Sequence, residues 1–145
     1  MPHYHTVIKS SWNARKAFAY MSDFSNAAQW DPGVKAARRR DQGEVGVGSV
    51  FDLTVPFAGQ SMVLGYQVVA MEAPHRVVFE ASTDRLESVD TLTFAERGDG
   101  CEMTYEADLK FKGVAALANP LLAVGFRRVG DRARDSLRKV LTSDV

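Results

Sequence analysis

Cysteine is nearly missing from this chain: Cys101 stands alone among 145 residues. A lone thiol forms no internal disulfide, and no cysteine–histidine cluster suggests zinc. A reducing compartment fits that composition. No apolar run approaches the roughly 20 residues that span a bilayer. The opening Met1-Pro2-His3-Tyr4-His5 lacks the basic-then-apolar layout of a signal peptide. Neither charge is in excess, with 18 basic and 18 acidic residues, so no global field favours nucleic acid or an acidic partner. Nor does the chain carry a catalytic triad, a P-loop, a dinucleotide fingerprint or a paired-carboxylate signature. The expectation is a cytoplasmic domain spanning 1–145 that needs neither disulfide nor metal, takes no cofactor, binds no DNA and makes no stable membrane insertion. A domain this long buries roughly 68–70% of its unfolded surface, which is enough for a core.

What the chain does have is two periodicities. Phe51, Leu53, Val55 and Phe57 recur at steps of two, as do Met103, Tyr105, Ala107, Leu109 and Phe111. Each set therefore shares one face of a strand. Leu122, Phe126, Val129, Ala133, Leu137 and Val140 recur at steps of three and four, the stripe of an amphipathic helix.

The spacing predicts strands over 4–9, 34–41, 49–56, 60–71, 76–82, 86–96 and 101–112. Trp12 to Met21 reads as a helix, with Ser10 and Ser11 as candidate caps. A shorter helix follows, capped by Ser25, holding Ala27, Ala28 and Trp30 and ended by Pro32-Gly33. Arg97-Gly98-Asp99-Gly100 is a hairpin signal. A weakly helical link, 114–118, leads to Asn119-Pro120 and the final helix. Consecutive strands with short turns predict an antiparallel meander.

That order, and the local text, resemble the START-like superfamily, also called SRPBCC, which includes polyketide cyclase/dehydrase-like proteins. The resemblance covers essentially the whole chain. It is carried by Phe24-Ser25-Asn26-Ala27-Ala28-Gln29-Trp30-Asp31-Pro32-Gly33-Val34, by Val45-Gly46-Val47-Gly48-Ser49, and by Thr91-Leu92-Thr93-Phe94 followed by Gly98-Asp99-Gly100. It implies an α+β helix-grip: a seven-stranded antiparallel sheet curved around a long C-terminal helix, with two short helices after strand 1. It also implies a cavity between sheet and helix. The fold carries binders, carriers and enzymes alike, so it does not name the chemistry.

The candidate lining is apolar: Phe51, Leu53, Val55, Phe57, Phe79, Leu92, Phe94, Tyr105, Leu109 and Phe111 from strands, with Leu122 and Phe126 from the helix. The same residues would serve equally as solid core. Trp30 stands where the resemblance places a residue at the pocket mouth, and it would serve equally as a packing anchor. Asp90 is the sharpest polar oddity. If Leu92 and Phe94 face inward, alternation turns Ser88 and Asp90 inward too. A carboxylate there would have a raised pKa and suit acid–base work. A bulge near the strand's start would instead leave it at the rim. Tyr66 and Tyr105 offer hydroxyls, either to a ligand or to local partners. His3 and His5 share a strand face without a third ligand nearby in sequence, so no metal site is expected, and His75 falls in a turn. Arg38 to Arg40 form a basic run. The helix arginines interleave with Asp131 and Asp135 at pairing distance.

Three readings follow. The first is a protein that binds or carries an apolar small molecule, such as a lipid, quinone or polyketide-like aromatic. The second is a cyclase/dehydratase-like enzyme using Asp90. The third is a surface module for a protein or ribonucleoprotein, with Arg38 to Arg40 as its contacts. Monomer and dimer are both compatible with the sequence.

Overall fold

The two-residue periodicity becomes a single antiparallel sheet. The computed structural model describes residues 3–57, 59–113 and 119–143, with side chains from residue 126 onward in the last segment. The strands are β1 (His3–Ser10), β2 (Ala36–Arg39), β3 (Val50–Phe57), β4 (Gln60–Glu72), β5 (Arg76–Ser82), β6 (Leu86–Arg97) and β7 (Gly100–Phe111). Their spatial order is β1-β7-β6-β5-β4-β3-β2, so β2 to β7 form a meander and β1 closes beside β7. Between β1 and β2 lie α1 (Ala14–Ser22), a 3-10 turn (Phe24–Asn26) and the single-turn α2 (Ala27–Trp30). The last helix, α3, runs Asn119–Leu141. This is the α+β helix-grip expected. The link over 114–118 lies outside the described residues.

β6 decides where Asp90 points. Its register with β7 runs unbroken from Leu86↔Phe111 to Arg97↔Gly100. Leu86, Ser88, Asp90, Leu92 and Phe94 are all buried, with the intervening residues less so. No bulge rescues the carboxylate, so alternation carries it inward. The sheet's irregularity falls instead in β4, between Val68 and Ala70. At the other end of β6 a two-residue turn, Gly98-Asp99, joins β7, and Gly98 takes the positive φ (59°) that such a turn requires.

The expected helix caps are corrected. Asn13, not Ser10 or Ser11, caps α1, its side chain accepting from Lys16 N at 2.8 Å. Asn26, not Ser25, stands at the N-cap of α2 and makes no side-chain cap bond there; Ser25 lies in the preceding 3-10 turn, which Asp23 caps by accepting from Ser25 N at 3.1 Å. Ser10 is used elsewhere. Its hydroxyl donates to the Leu141 carbonyl at 2.6 Å and accepts from Trp12 N at 3.0 Å. Trp12 Nε1 donates to the Ser143 carbonyl at 2.8 Å. These bonds satisfy carbonyls that the end of α3 leaves without helical partners. They pin that end to the β1–α1 corner, with Leu137 and Leu141 buried beneath it.

The concave face is divided in two. Towards α1 it is solid: Phe18 meets Phe94 edge-on at 5.5 Å, and Leu92 and Met103 are fully buried. Further along, α3 crosses a gap. It approaches β1 closely at Gly130, where a Cβ would lie 2.6 Å from the Tyr4 ring. Towards its start, Phe126 is partly exposed and Val129 is 45% exposed.

Candidate functional site

The gap is a cavity of about 390 Å³ between the sheet and α3, within the range of small-molecule pockets. Leu53, Val55 and Phe57 from β3, Tyr66 from β4, Asp90 from β6, Tyr105, Leu109 and Phe111 from β7, Trp30 from α2 and Phe126 from α3 all line it, as alternation and helical spacing expect.

Four of the sequence candidates do not stand on that wall. Phe51, Phe79, Leu92 and Phe94 are buried outside it. The 3-10 turn explains the first two. It drops Phe24 onto the sheet, stacked on Phe79 at 3.6 Å and 8° and edge-on to Phe51 at 6.4 Å. Phe24 is the surface the cavity meets; Phe51 and Phe79 are packed by it. Phe94 is engaged by Phe18 in the same way. Strand parity gives the face of a residue but not what covers it. The Leu122 side chain lies outside the described residues.

The polar part of the wall is a short chain of hydroxyls ending on one carboxylate. Tyr66 OH donates to Ser88 Oγ at 3.0 Å, across the intervening β5. Ala81, paired with Ser88 on β5, is small enough to leave that route open. Ser88 Oγ donates to Asp90 Oδ1 at 2.9 Å. Tyr105 OH donates to Asp90 Oδ2. Each carboxylate oxygen thus has one O–H donor, and among the described residues neither forms an ion pair.

Burial is the main influence on Asp90 and pushes its pKa up to about 6. The hydrogen bonds from Tyr105 and Ser88 oppose that push, and the nearby charge of Asp31 adds to it. Burial, reinforced by the Asp90 charge, also holds the Tyr66 and Tyr105 phenols well above their usual range. They therefore act as O–H donors, Tyr105 to the carboxylate and Tyr66 to Ser88, rather than as anions.

Asp31 also lines the cavity. Its Oδ1 accepts from Gly33 N at 2.8 Å, and burial raises its pKa against that bond. In the sequence Asp31-Pro32-Gly33 reads as a helix stop, which hides the carboxylate, because a turn residue and a wall residue look alike in a string. Tyr4, Thr6 and Val129 on the wall were legible from parity and helical spacing. Trp30 packs edge-on to Tyr105 at 5.8 Å and to Phe24 at 6.4 Å. Its Nε1 is buried without a hydrogen-bond partner among the described residues.

Among the described residues Arg134 is the cation on the wall, and it is already engaged by Asp131 at 3.3 Å and Asp135 at 3.1 Å. Tyr4 OH donates to the same Asp131 at 2.7 Å, tying β1 to α3. Away from the cavity, Arg39 pairs with Asp41 and Arg40 with Asp52, so two members of the basic run are bound within the protein. His3 meets Asp108, and His5 lies 3.9 Å from Glu106. His75 is exposed. Among the described residues no group of three histidine, cysteine or acidic side chains is placed to hold a metal, and no helix is long and apolar enough to cross a membrane.

The family described as "Polyketide cyclase / dehydrase and lipid transport" matches residues 1–142. The chain belongs to this family. Solved START-superfamily structures share its fold. A START superfamily protein from Mycobacterium smegmatis is 18% identical, with 96% of each chain covered and a TM-score of 0.71. TTHA0849 from Thermus thermophilus is 11% identical, with 95% of each covered and a TM-score of 0.77. The di-domain ARO/CYC StfQ from the steffimycin biosynthetic pathway is 14% identical, with a TM-score of 0.69 over 94% of this chain and 48% of StfQ. No curated protein matches the chain. At these identities the solved structures establish a START-like fold, which is compatible with hydrophobic ligand binding and leaves ligand and chemistry to be argued from the site.

Proposed function

We propose that this START-like protein binds or carries an apolar small molecule in the cavity between sheet and α3. The single observation that carries the reading is the cavity itself, walled mainly by aromatic and aliphatic side chains with one hydroxyl–carboxylate chain on its polar side. Burying an apolar ligand against such a wall gains roughly 25 cal/mol per Å² removed from water. A ligand the size of the cavity hides enough surface for useful affinity without covalent chemistry. The test is native mass spectrometry of protein purified gently from its own organism, followed by organic extraction. A reproducible extra mass, lost on denaturation and identified as an apolar compound, supports the reading. An apo mass, together with failure to bind a panel of lipids, quinones and polyketide-like aromatics, overturns it.

A second reading is favoured by Asp90. A buried carboxylate titrating near 6 beside an apolar cavity is suited to moving protons on a bound substrate. In the cyclase/dehydratase-like version, apolar walls orient the substrate and exclude water while Asp90 accepts and returns a proton. Loss of turnover in Asp90→Asn on a proven substrate, with binding retained, supports it; unchanged turnover removes it. The surface-module reading is weakened by the ion pairs that occupy Arg39 and Arg40. Binding of a ribonucleoprotein or protein partner that is lost on reversing Arg38 would restore it.

A further inference from the structure

The polar side of the cavity is rich in acceptors and poor in free positive charge. Besides Asp90, the polar side chains on the lining among the described residues are Tyr4 and Thr6 from β1, Trp30 from α2, Asp31 after it, Tyr66 from β4, Ser88 from β6, Tyr105 from β7 and Arg134 from α3. The hydroxyls of Tyr66, Ser88 and Tyr105 are spent within the chain that ends on Asp90, and the Tyr4 hydroxyl is spent on Asp131. Arg134 is shared between Asp131 and Asp135. Two carboxylates, Asp31 and Asp90, therefore stand on one cavity wall with no cation paired to either among the described residues.

We propose that this wall receives the protonated amine of an apolar ligand, so that the molecule held in the cavity carries one cationic head group and no carboxylate or phosphate. The proposal rests on the cavity-binding reading above and names its ligand class.

The physical argument is one of compensation. A buried carboxylate that accepts hydrogen bonds from neutral hydroxyls keeps its charge uncancelled, and such a charge is costly in an apolar setting. Each Asp90 oxygen has accepted one O–H and retains capacity for another donor. Asp31 accepts one backbone N–H on a single oxygen. An ammonium brings three donors and the missing charge. After burial, the charges of Asp31 and Asp108 also push the Asp90 pKa up, in keeping with a negative local potential. The indole of Trp30 and the phenol ring of Tyr105 add aromatic faces that attract a cation. A fatty acid or phosphate head would add a third anion to the same wall. Trp30 Nε1, buried without a partner, leaves one donor for an ether, hydroxyl or carbonyl oxygen on the same ligand.

The test uses three probes of one shape, measured by calorimetry at pH 7.5 on the full chain: 1-naphthylmethylamine, 1-naphthylmethanol and 1-naphthylacetate. The amine is expected to bind at least tenfold tighter than the alcohol, and the acetate at least tenfold weaker. In Asp90→Asn, and separately in Asp31→Asn, the amine-to-alcohol ratio is expected to fall at least threefold, with the melting temperature recording that each variant is folded. Two variants at different positions keep the test alive if one fails to fold. Alcohol binding without an amine preference overturns the inference and leaves the cavity reading standing, as does a ratio unchanged in both variants. Acetate binding as tight as the amine overturns it in the same way. Binding of none of the three overturns the inference, and the cavity reading is then decided by the native mass and the wider ligand panel.

Discussion

Tyr105 on β7 donates its hydroxyl to Asp90 on β6, one diagonal step across a register that pairs Tyr105 with Leu92 and Asp90 with Ala107. An O–H given to an ionised carboxylate stabilises the charged form, so this bond restrains the upward push of burial on Asp90. Its removal has a definite sign. In Tyr105→Phe the Asp90 pKa is expected to rise further above 6. Carbon-13 NMR of the aspartate carboxyls, followed through a pH titration, reads it directly. An unchanged or lower value would show that the hydroxyl does not hold the charge.

The same carboxylate makes stability depend on pH. Its folded pKa, about 6, lies above the unfolded value of 3.8. The native state therefore binds the proton more tightly. The contribution is fully present below pH 4 and is lost as pH rises through 6. The loss is about 3 kcal/mol if the whole shift is expressed. Asp41 acts in the opposite sense: Arg39 holds it below the usual carboxylate range, so its contribution is lost as pH falls. Denaturant unfolding of Asp90→Asn beside the parent, from pH 4 to pH 8, isolates Asp90. The parent is expected to lose ground relative to the variant across pH 4 to 7, and parallel curves would refute the assignment.

What was legible in the sequence depended on what each signal encodes. Period-two alternation encodes the facing of a side chain, so the inward turn of Asp90 was derivable once Leu92 and Phe94 were taken as core. Whether β6 bulged was not derivable, because a bulge is set by register with a neighbour. Nor was the separation of Leu53 from Phe51. Both face inward on β3, and only the placement of Phe24 by the 3-10 turn makes one of them wall and the other core. Asp31 stayed hidden because aspartate before Pro-Gly is explained well enough by the turn.

Gly130 offers a packing test. A methyl there would meet the Tyr4 ring at 2.6 Å, which forces either the ring or α3 to move. Alanine ordinarily favours a helix over glycine by about 1 kcal/mol. Here the clash should outweigh that gain, with Gly130→Ala destabilising by about 1–3 kcal/mol. The double variant with Tyr4→Ala should recover much of the loss, because the two residues touch and their effects are then not additive. Denaturant melts of the four-member cycle check it. Additive effects would mean that the close approach of Tyr4 to Gly130 carries no strain.

The last prediction separates a cavity kept for a ligand from an accident of packing. Ala133 projects from α3 into the cavity and is only partly buried. Phenylalanine at that position fills space that a ligand would need while adding apolar surface to the wall. Empty apolar volume costs stability, because atoms lining a void lose contacts, so filling it is expected to leave the melting temperature unchanged or raised by a few degrees. Binding should move the other way. The neutral fluorescent probe N-phenyl-1-naphthylamine is expected to bind the parent and to bind Ala133→Phe at least tenfold more weakly. Trp30 lies on the cavity wall while Trp12 is bonded at the far corner, so a Trp12→Phe background leaves Trp30 as the reporter of the same event. Undiminished probe binding in a folded Ala133→Phe would place the probe outside the cavity. A variant that loses stability as well as binding would mean that α3 already sits too close to the sheet for the space to admit a ligand.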